Sequence, residues 1–169
     1  MRYAIASDIH GSAYWCAKLL DGVEREKADR LILLGDLMYH GPRNPLPDGY
    51  DPISVAAQLN ELSNRIIAVR GNCDSEVDQM LLDFPCMQDY ALILDGGTQL
   101  FCTHGHLGLE KMIRRLSEGS IVLTGHTHIK ENKLDHNVRY LNPGSVSMPK
   151  DGSHSFLIYE DGTAEIVSL

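Results

Sequence analysis

The chain has no C-x-x-C pair, no run near the roughly 20 apolar residues of a membrane span, and no basic stripe. Each absence removes a class of function. The four cysteines, Cys16, Cys73, Cys86 and Cys102, are scattered, which excludes a disulfide-stapled or zinc-finger framework and reads as a reduced thiol set. The apolar stretch in MRYAIASDIHG is far shorter than the core of a secretory signal, so a cytoplasmic chain with no membrane partner is expected. Positive charge is scarce: 15 Lys and Arg against 23 Asp and Glu leave a formal net charge of -8. That charge repels a phosphate backbone, so no nucleic-acid partner is expected. A cluster of divalent ions would still make one positive spot on such a surface, enough for a small phosphorylated substrate. Nothing in the sequence bears on oligomeric state, and a homo-oligomer stays open.

What is present is ordinary globular composition, 43% hydrophobic and 22% charged, at 169 residues. That length suits one domain over residues 1–169 with a substantial core and no staples. Residues 2–6 read as a short buried strand, 13–26 as a helix through Trp15, Leu19, Leu20 and Val23, and 30–34 as a second strand. This strand–helix–strand unit is expected to be parallel. Residues 41–52 hold four of the seven prolines and two glycines, which predicts a stiff loop. A helix over 53–63, strand 66–69 and a helical segment near 75–82 follow. Two strands joined at Asp95-Gly96-Gly97 make a hairpin. A helix over 109–117, strand 121–124 and strands 138–141, 154–159 and 163–168 complete the chain, the last two joined through Asp161-Gly162. Two facing sheets flanked by helices are expected.

Chemistry-bearing residues recur where strands end. Asp8 and His10 follow the first strand, and in extended backbone residues two apart project to one side. Asp36 follows Gly35 at the end of the second strand, and Asn72 follows Gly71 at the end of the third. His104-Gly105-His106 and Gly125-His126-Thr127-His128 add imidazoles at two more strand ends, with glycines that permit close approach of backbone to an ion. Each piece alone is an ordinary turn or cap. Together they combine two carboxylates, one amide and at least three histidines, a mixed oxygen and nitrogen set. Such a set suits Mn²⁺, Fe or Zn²⁺ better than Mg²⁺ or Ca²⁺, and the lack of thiolates argues against a structural zinc.

The blocks S-D-I-H-G, G-D, G-N-C-D, T-H-G-H and G-H-T-H resemble the successive motifs of the calcineurin-like metallophosphoesterase superfamily. N-P-G-S-V-S at 142–147 and H-G-P-R-N-P-L-P-D-G-Y at 40–50 are similar to its YfcE-type bacterial phosphodiesterase branch, so the likeness spans most of the chain. The resemblance implies an α/β fold, a four-layer α/β/β/α sandwich with mixed sheets. It implies two divalent ions, Mn²⁺ first, with Zn²⁺, Fe²⁺, Ni²⁺ or Co²⁺ as alternatives. By position, Asp8, His10 and His128 would hold one ion, Asn72, His104 and His126 the other, and Asp36 would bridge them.

The implied reaction is hydrolysis of a phosphodiester in a small substrate by metal-activated water, with no covalent intermediate. Asp36, Asn72, Cys73 and His106 are the residues expected to act at the reacting centre. Many superfamily members carry histidine after the asparagine, to protonate the leaving group or hold the phosphate; here Cys73 stands there, as in the G-N-C-D of the YfcE-like branch. The proton would then come from water, His106 or His40, or not be needed for a good leaving group. Arg43 and Arg70 are candidates to pair with phosphate oxygens, against a solvated side chain and a salt bridge respectively. Asp74 is expected either to orient a ligating histidine or to cap a helix. His136 and His154 are expected to be structural or exposed. A phosphomonoesterase, a nuclease, and a non-catalytic scaffold such as the retromer subunit of this fold are the competing functions.

Overall fold

The computed structural model describes residues 1–169. Strand β1 (Tyr3–Ala6) is buried at all four positions, as a continuous apolar run at a sheet centre should be. Helix α1 (Ala13–Arg25) follows, begun by Ser12, whose hydroxyl accepts from Trp15 N at 3.2 Å. It buries Cys16, Leu19 and Val23 along one face. Strand β2 (Arg30–Leu33) then pairs parallel with β1, as the strand–helix–strand pattern requires.

The proline-rich loop has no regular element before Pro52, and it is pinned to the turn after β1. Ala13 N donates to Gly49 O at 2.9 Å and Asp51 N to Gly11 O at 2.8 Å. Helix α2 (Pro52–Asn60) starts at the last of these prolines, where the missing N–H costs nothing, with Asp51 accepting from Ser54 N at 3.0 Å. Strand β3 (Ile66–Ala68) and helix α3 (Glu76–Leu81) follow, close to the expected bounds.

Strands β4 (Tyr90–Asp95) and β5 (Thr98–Thr103) form the expected hairpin, turning on Gly96 and Gly97, both at positive φ. The expected helix over 109–117 shortens to α4 (Glu110–Ile113). No side chain caps its start, and the chain leaves the helix in turns while Leu109, Ile113 and Leu116 all still pack on Phe101, Val122 and Val138. The apolar spacing was correct; helical continuity was not needed to satisfy it.

After β6 (Ile121–Leu123) comes a strand the sequence pattern does not predict, β7 (Lys130–Asp135). Its sequence, KENKLD, lacks apolar alternation because it is a sheet edge, where charge is protective. It joins β8 (Val138–Pro143) through His136 and Asn137, both at positive φ, and the β9 (Ser155–Glu160) and β10 (Thr163–Ser168) hairpin closes the chain.

The strands form two five-stranded mixed sheets, ordered β10-β9-β1-β2-β3 and β4-β5-β6-β8-β7. Between them lie Ile5, Ile32, Leu34, Leu100, Leu123 and Leu157 among twelve buried residues. The outer face of the first sheet packs on α1 and α2 through a larger cluster that includes Leu19, Val23, Val55 and Leu59. The second sheet's outer cover is slight, α4 and its flanking turns. The architecture is the expected α/β/β/α arrangement, with a thin fourth layer. No helix is long and apolar enough to cross a membrane. The parallel strands β1, β2, β3, β5 and β6 all end at one rim, and the candidate site is built in the loops there.

Candidate metal centre

Five of the seven candidate ligands sit in left-handed backbone: Asp8 at φ 60°, His10 at 49°, Asp36 at 56°, His126 at 68° and His128 at 61°. This corrects the expectation of extended backbone at Asp8 and His10: the two side chains converge through a turn. A non-glycine residue in this region costs roughly 1–2 kcal/mol, so the surrounding structure must impose it. It does so by carrying the strand pairing past the strand ends. Asp8 N donates to Gly35 O at 3.1 Å, His10 N to Asp36 O at 2.9 Å and Gly11 N to Leu37 O at 2.9 Å.

The imidazoles are oriented from behind. His10 Nδ1 lies 2.8 Å from Tyr39 O, His104 Nδ1 2.6 Å from Leu34 O and His128 Nδ1 2.7 Å from Met148 O. A carbonyl can only accept, so each Nδ1 carries the proton and each Nε2 is presented to the centre. There His10 Nε2 stands 3.2 Å from His128 Nε2, and His104 Nε2 stands 3.2 Å from Asn72 Oδ1.

The carboxylates occupy the middle. Asp8 Oδ2 accepts from His126 N at 3.0 Å, which leaves Oδ1, fully buried and without a hydrogen-bond partner, 3.2 Å from His128 Nε2 and 3.6 Å from His10 Nε2. Asp36 Oδ1 accepts from Cys73 N at 2.8 Å, and its Oδ2 lies 3.7 Å from His10 Nε2 and 3.5 Å from His104 Nε2. Asp36 therefore stands between the two groups of imidazoles. His126 reaches the second group, its ring centroid 5.1 Å from that of His104.

Burial works against charge on both aspartates, yet contact with the histidines holds each below its usual carboxylate range. Burial likewise pulls His104 down, but the carboxylates of Asp36 and Asp8 dominate and lift it to about 9; His10 is raised in the same way. Protons thus take the place that a cation would fill. Burial and the neighbouring His104 lower His126 and His106, which keeps those rings neutral. Converging nitrogen lone pairs, anionic carboxylates and an orphaned buried oxygen fit divalent metal ions. The ligand atoms of Asp8, His10 and His128, and those of Asp8, Asp36 and His104, lie within 4.8 Å of one another.

Two glycines at these turns have a packing role. A Cβ on Gly71 would strike the Asp36 carboxylate, and one on Gly125 would strike Ser7 Oγ. They let neighbouring loops touch. Asp74 neither orients a histidine nor caps a helix. Its buried carboxylate accepts from Asp36 N and Leu37 N at 2.8 Å and from Gly71 N at 2.6 Å, tying the β2 and β3 loops together.

A cleft of about 430 Å³ opens over the site, lined by His10, Asp36, Asn72, Cys73, His126 and His128 together with Arg43, Asn44, Thr127 and Lys150. Arg43 is thus at the site, whereas Arg70 is paired with Asp89 at 2.7 Å. His40 turns away, its Nδ1 3.2 Å from Asn44 O and its ring edge-on to Tyr50. His106 lies beside the site, 5.3 Å from the His104 ring, without lining the cleft. Cys73 lines it, with its thiol pushed up to about 12 by burial and then by Asp36. His136 is exposed, and His154 stacks on Trp15 at 3.5 Å.

Sequence reasoning missed Lys150, and it singled out the serines at 145 and 147 only as part of the N-P-G-S-V-S block, with no role. Lys150 reaches the cleft because its N–H donates to His128 O at 3.0 Å; a lone lysine far along the chain carries no motif to reveal that.

The chain is 42% identical over 170 residues to the phosphodiesterase YfcE of Escherichia coli strain K12, covering 100% of this chain and 92% of that one. The solved structure of the E. coli phosphoesterase Yfce superposes with a TM-score of 0.91 at 44% identity, over 95% of this chain and 89% of that chain. An archaeal phosphodiesterase shares the fold at a TM-score of 0.76 and 23% identity, over 100% of both chains. Residues 1–163 match the calcineurin-like phosphoesterase superfamily domain, and the chain belongs to that superfamily.

Proposed function

We propose that the protein hydrolyses phosphodiester bonds in small substrates, using two divalent metal ions, with Mn²⁺ the first choice. The observation that carries the reading is the placing of Asp36 Oδ2 between His10 Nε2 and His104 Nε2, one from each group of ligands. Asp8, His10 and His128 would hold one ion, Asn72, His104 and His126 the other, and Asp36 both. When bound, the ions supply Lewis-acid polarisation of a phosphoryl oxygen and lower the pKa of a water for attack at phosphorus.

The chain's own groups do the rest. Arg43 and Lys150 line the same cleft as the ligands and can pair with the remaining phosphate oxygens, while Asn44 and Thr127 offer neutral hydrogen bonds. Two cations at the mouth suit a phosphorylated ligand despite the net charge of -8. No imidazole other than the ligands lines the cleft, and the Cys73 thiol, its pKa pushed up by burial and Asp36, is a poor general acid for a leaving group. That favours esters whose leaving group departs without a proton from the protein.

The likeness to phosphodiesterase YfcE over the whole chain supports diesters over monoesters. A non-catalytic scaffold is disfavoured because all seven candidate ligands are present, three of the imidazoles held by backbone carbonyls behind them. The reading also includes action in the cytoplasm, consistent with four free cysteines. The test is turnover of bis-p-nitrophenyl phosphate against p-nitrophenyl phosphate with added Mn²⁺. Faster hydrolysis of the diester is expected; faster hydrolysis of the monoester would overturn the substrate class.

A further inference from the structure

The segment that follows β8 is bound to the Asp8 turn by hydrogen bonds that the ligand set itself does not require. Ser145 Oγ donates to Asp8 O at 2.8 Å, Ser147 Oγ donates to the same oxygen at 3.1 Å, and Ser147 N lies 3.3 Å from it. Val146 N adds a bond to Ser7 O at 3.0 Å. Both serines are buried, Ser145 completely. Three donors on one carbonyl exceed what backbone satisfaction needs, and the carbonyl belongs to a residue at φ 60°.

The same segment holds a second ligand. Met148 N donates to Ser145 Oγ at 2.9 Å, and Met148 O receives the Nδ1 proton of His128 at 2.7 Å. Ser145 thus links the Asp8 backbone to the His128 ring through one residue. Asn142, at the end of β8, donates to Gly125 O at 2.8 Å and Thr127 Oγ1 at 3.2 Å, which fixes the loop carrying both His126 and His128.

We infer that Ser145 and Ser147 are positioning residues for the ion held by Asp8, His10 and His128: their hydroxyls lock Asp8 in its left-handed turn so that Oδ1 faces both imidazoles. The inference rests on the two-ion reading above. The second group, Asn72, His104 and His126, has no hydrogen bond to either serine hydroxyl and is tied to the braced turn only where His126 N donates to Asp8 Oδ2, so the brace bears chiefly on the ion of Asp8, His10 and His128.

Calorimetric titration of the metal-free S145A/S147A protein with Mn²⁺ tests it. Ser120→Ala is the control, since Ser120 is also buried and donates to Ser117 O at 2.6 Å, just before β6 and with no bond to the Asp8 turn. Loss of buried groups that orient ligands weakens metal binding about tenfold or more. One of the two binding events should weaken by that factor in S145A/S147A, with the other weakened clearly less and with both unchanged in S120A. Two unaltered events, equal weakening of both events, or the same weakening in S120A, would overturn the brace. If the double variant does not fold, S147A alone must still weaken one event more than the other. Affinity judges the brace and turnover of the diester judges the function, so the two readings fail separately.

Discussion

His10 and His128 face each other through their Nε2 atoms at 3.2 Å, while each donates its Nδ1 proton to a backbone carbonyl behind it. Two neutral rings so held would oppose lone pair to lone pair, so either a proton or a metal cation must lie between them. The metal-free protein uses protons, with His10 raised and His104 at about 9. The shift keeps His104 protonated at neutral pH and moves His10 in the same direction, and a bound ion must displace protons held there. Mn²⁺ uptake at pH 7 is therefore predicted to release protons, and affinity to rise with pH until about 9. Calorimetry in buffers of different ionisation enthalpy measures this directly; uptake without proton release would contradict it.

Asp36 is the one carboxylate within 3.7 Å of Nε2 atoms in both groups. Asp36→Asn is predicted to lower turnover about a hundredfold or more, with folding retained. His136→Ala, at a position fully in solvent, should stay within about twofold. Near-normal kcat in the Asp36 variant would refute the bridging role.

Arg43 and Lys150 share the cleft, whereas Arg70 is engaged with Asp89. A charge-assisted hydrogen bond contributes about 1.5–3 kcal/mol, so Arg43→Ala and Lys150→Ala should each raise KM for a diester roughly tenfold or more with a smaller change in kcat. Arg70→Ala should leave KM alone. A KM effect confined to Arg70 would reverse the assignment.

Cys73 holds a proton that burial and Asp36 make hard to remove, its pKa at about 12. A group whose pKa lies so far above the operating pH is a poor general acid near neutral pH. Cys73→Ser is predicted to change kcat for bis-p-nitrophenyl phosphate by no more than a few-fold and to leave its pH profile in place. Loss of one limb of that profile would show the thiol to be the acid.

Much of the site was legible because strand and loop chemistry coincide. Glycine followed by Asp36 or Asn72 at the end of an apolar run is readable from spacing alone, and so is each hairpin that turns on glycine. Other features left no local mark. The left-handed backbone at Asp8, His10, Asp36, His126 and His128 is held by bonds to distant loops, and although Asp and His enter that region more readily than most residues, their presence alone does not announce it. Strand β7 was hidden because an exposed edge has no reason to alternate. The role of Asp74 depended on which N–H groups would converge on it, and three from two different loops do.

The most direct test of the two-ion account is to strip the protein of metal, titrate it with Mn²⁺ and follow hydrolysis of bis-p-nitrophenyl phosphate. Activity should be absent at the start, rise to a plateau at about two equivalents per chain and vanish again with EDTA. A plateau at one equivalent, or hydrolysis that persists in the stripped protein, would contradict it.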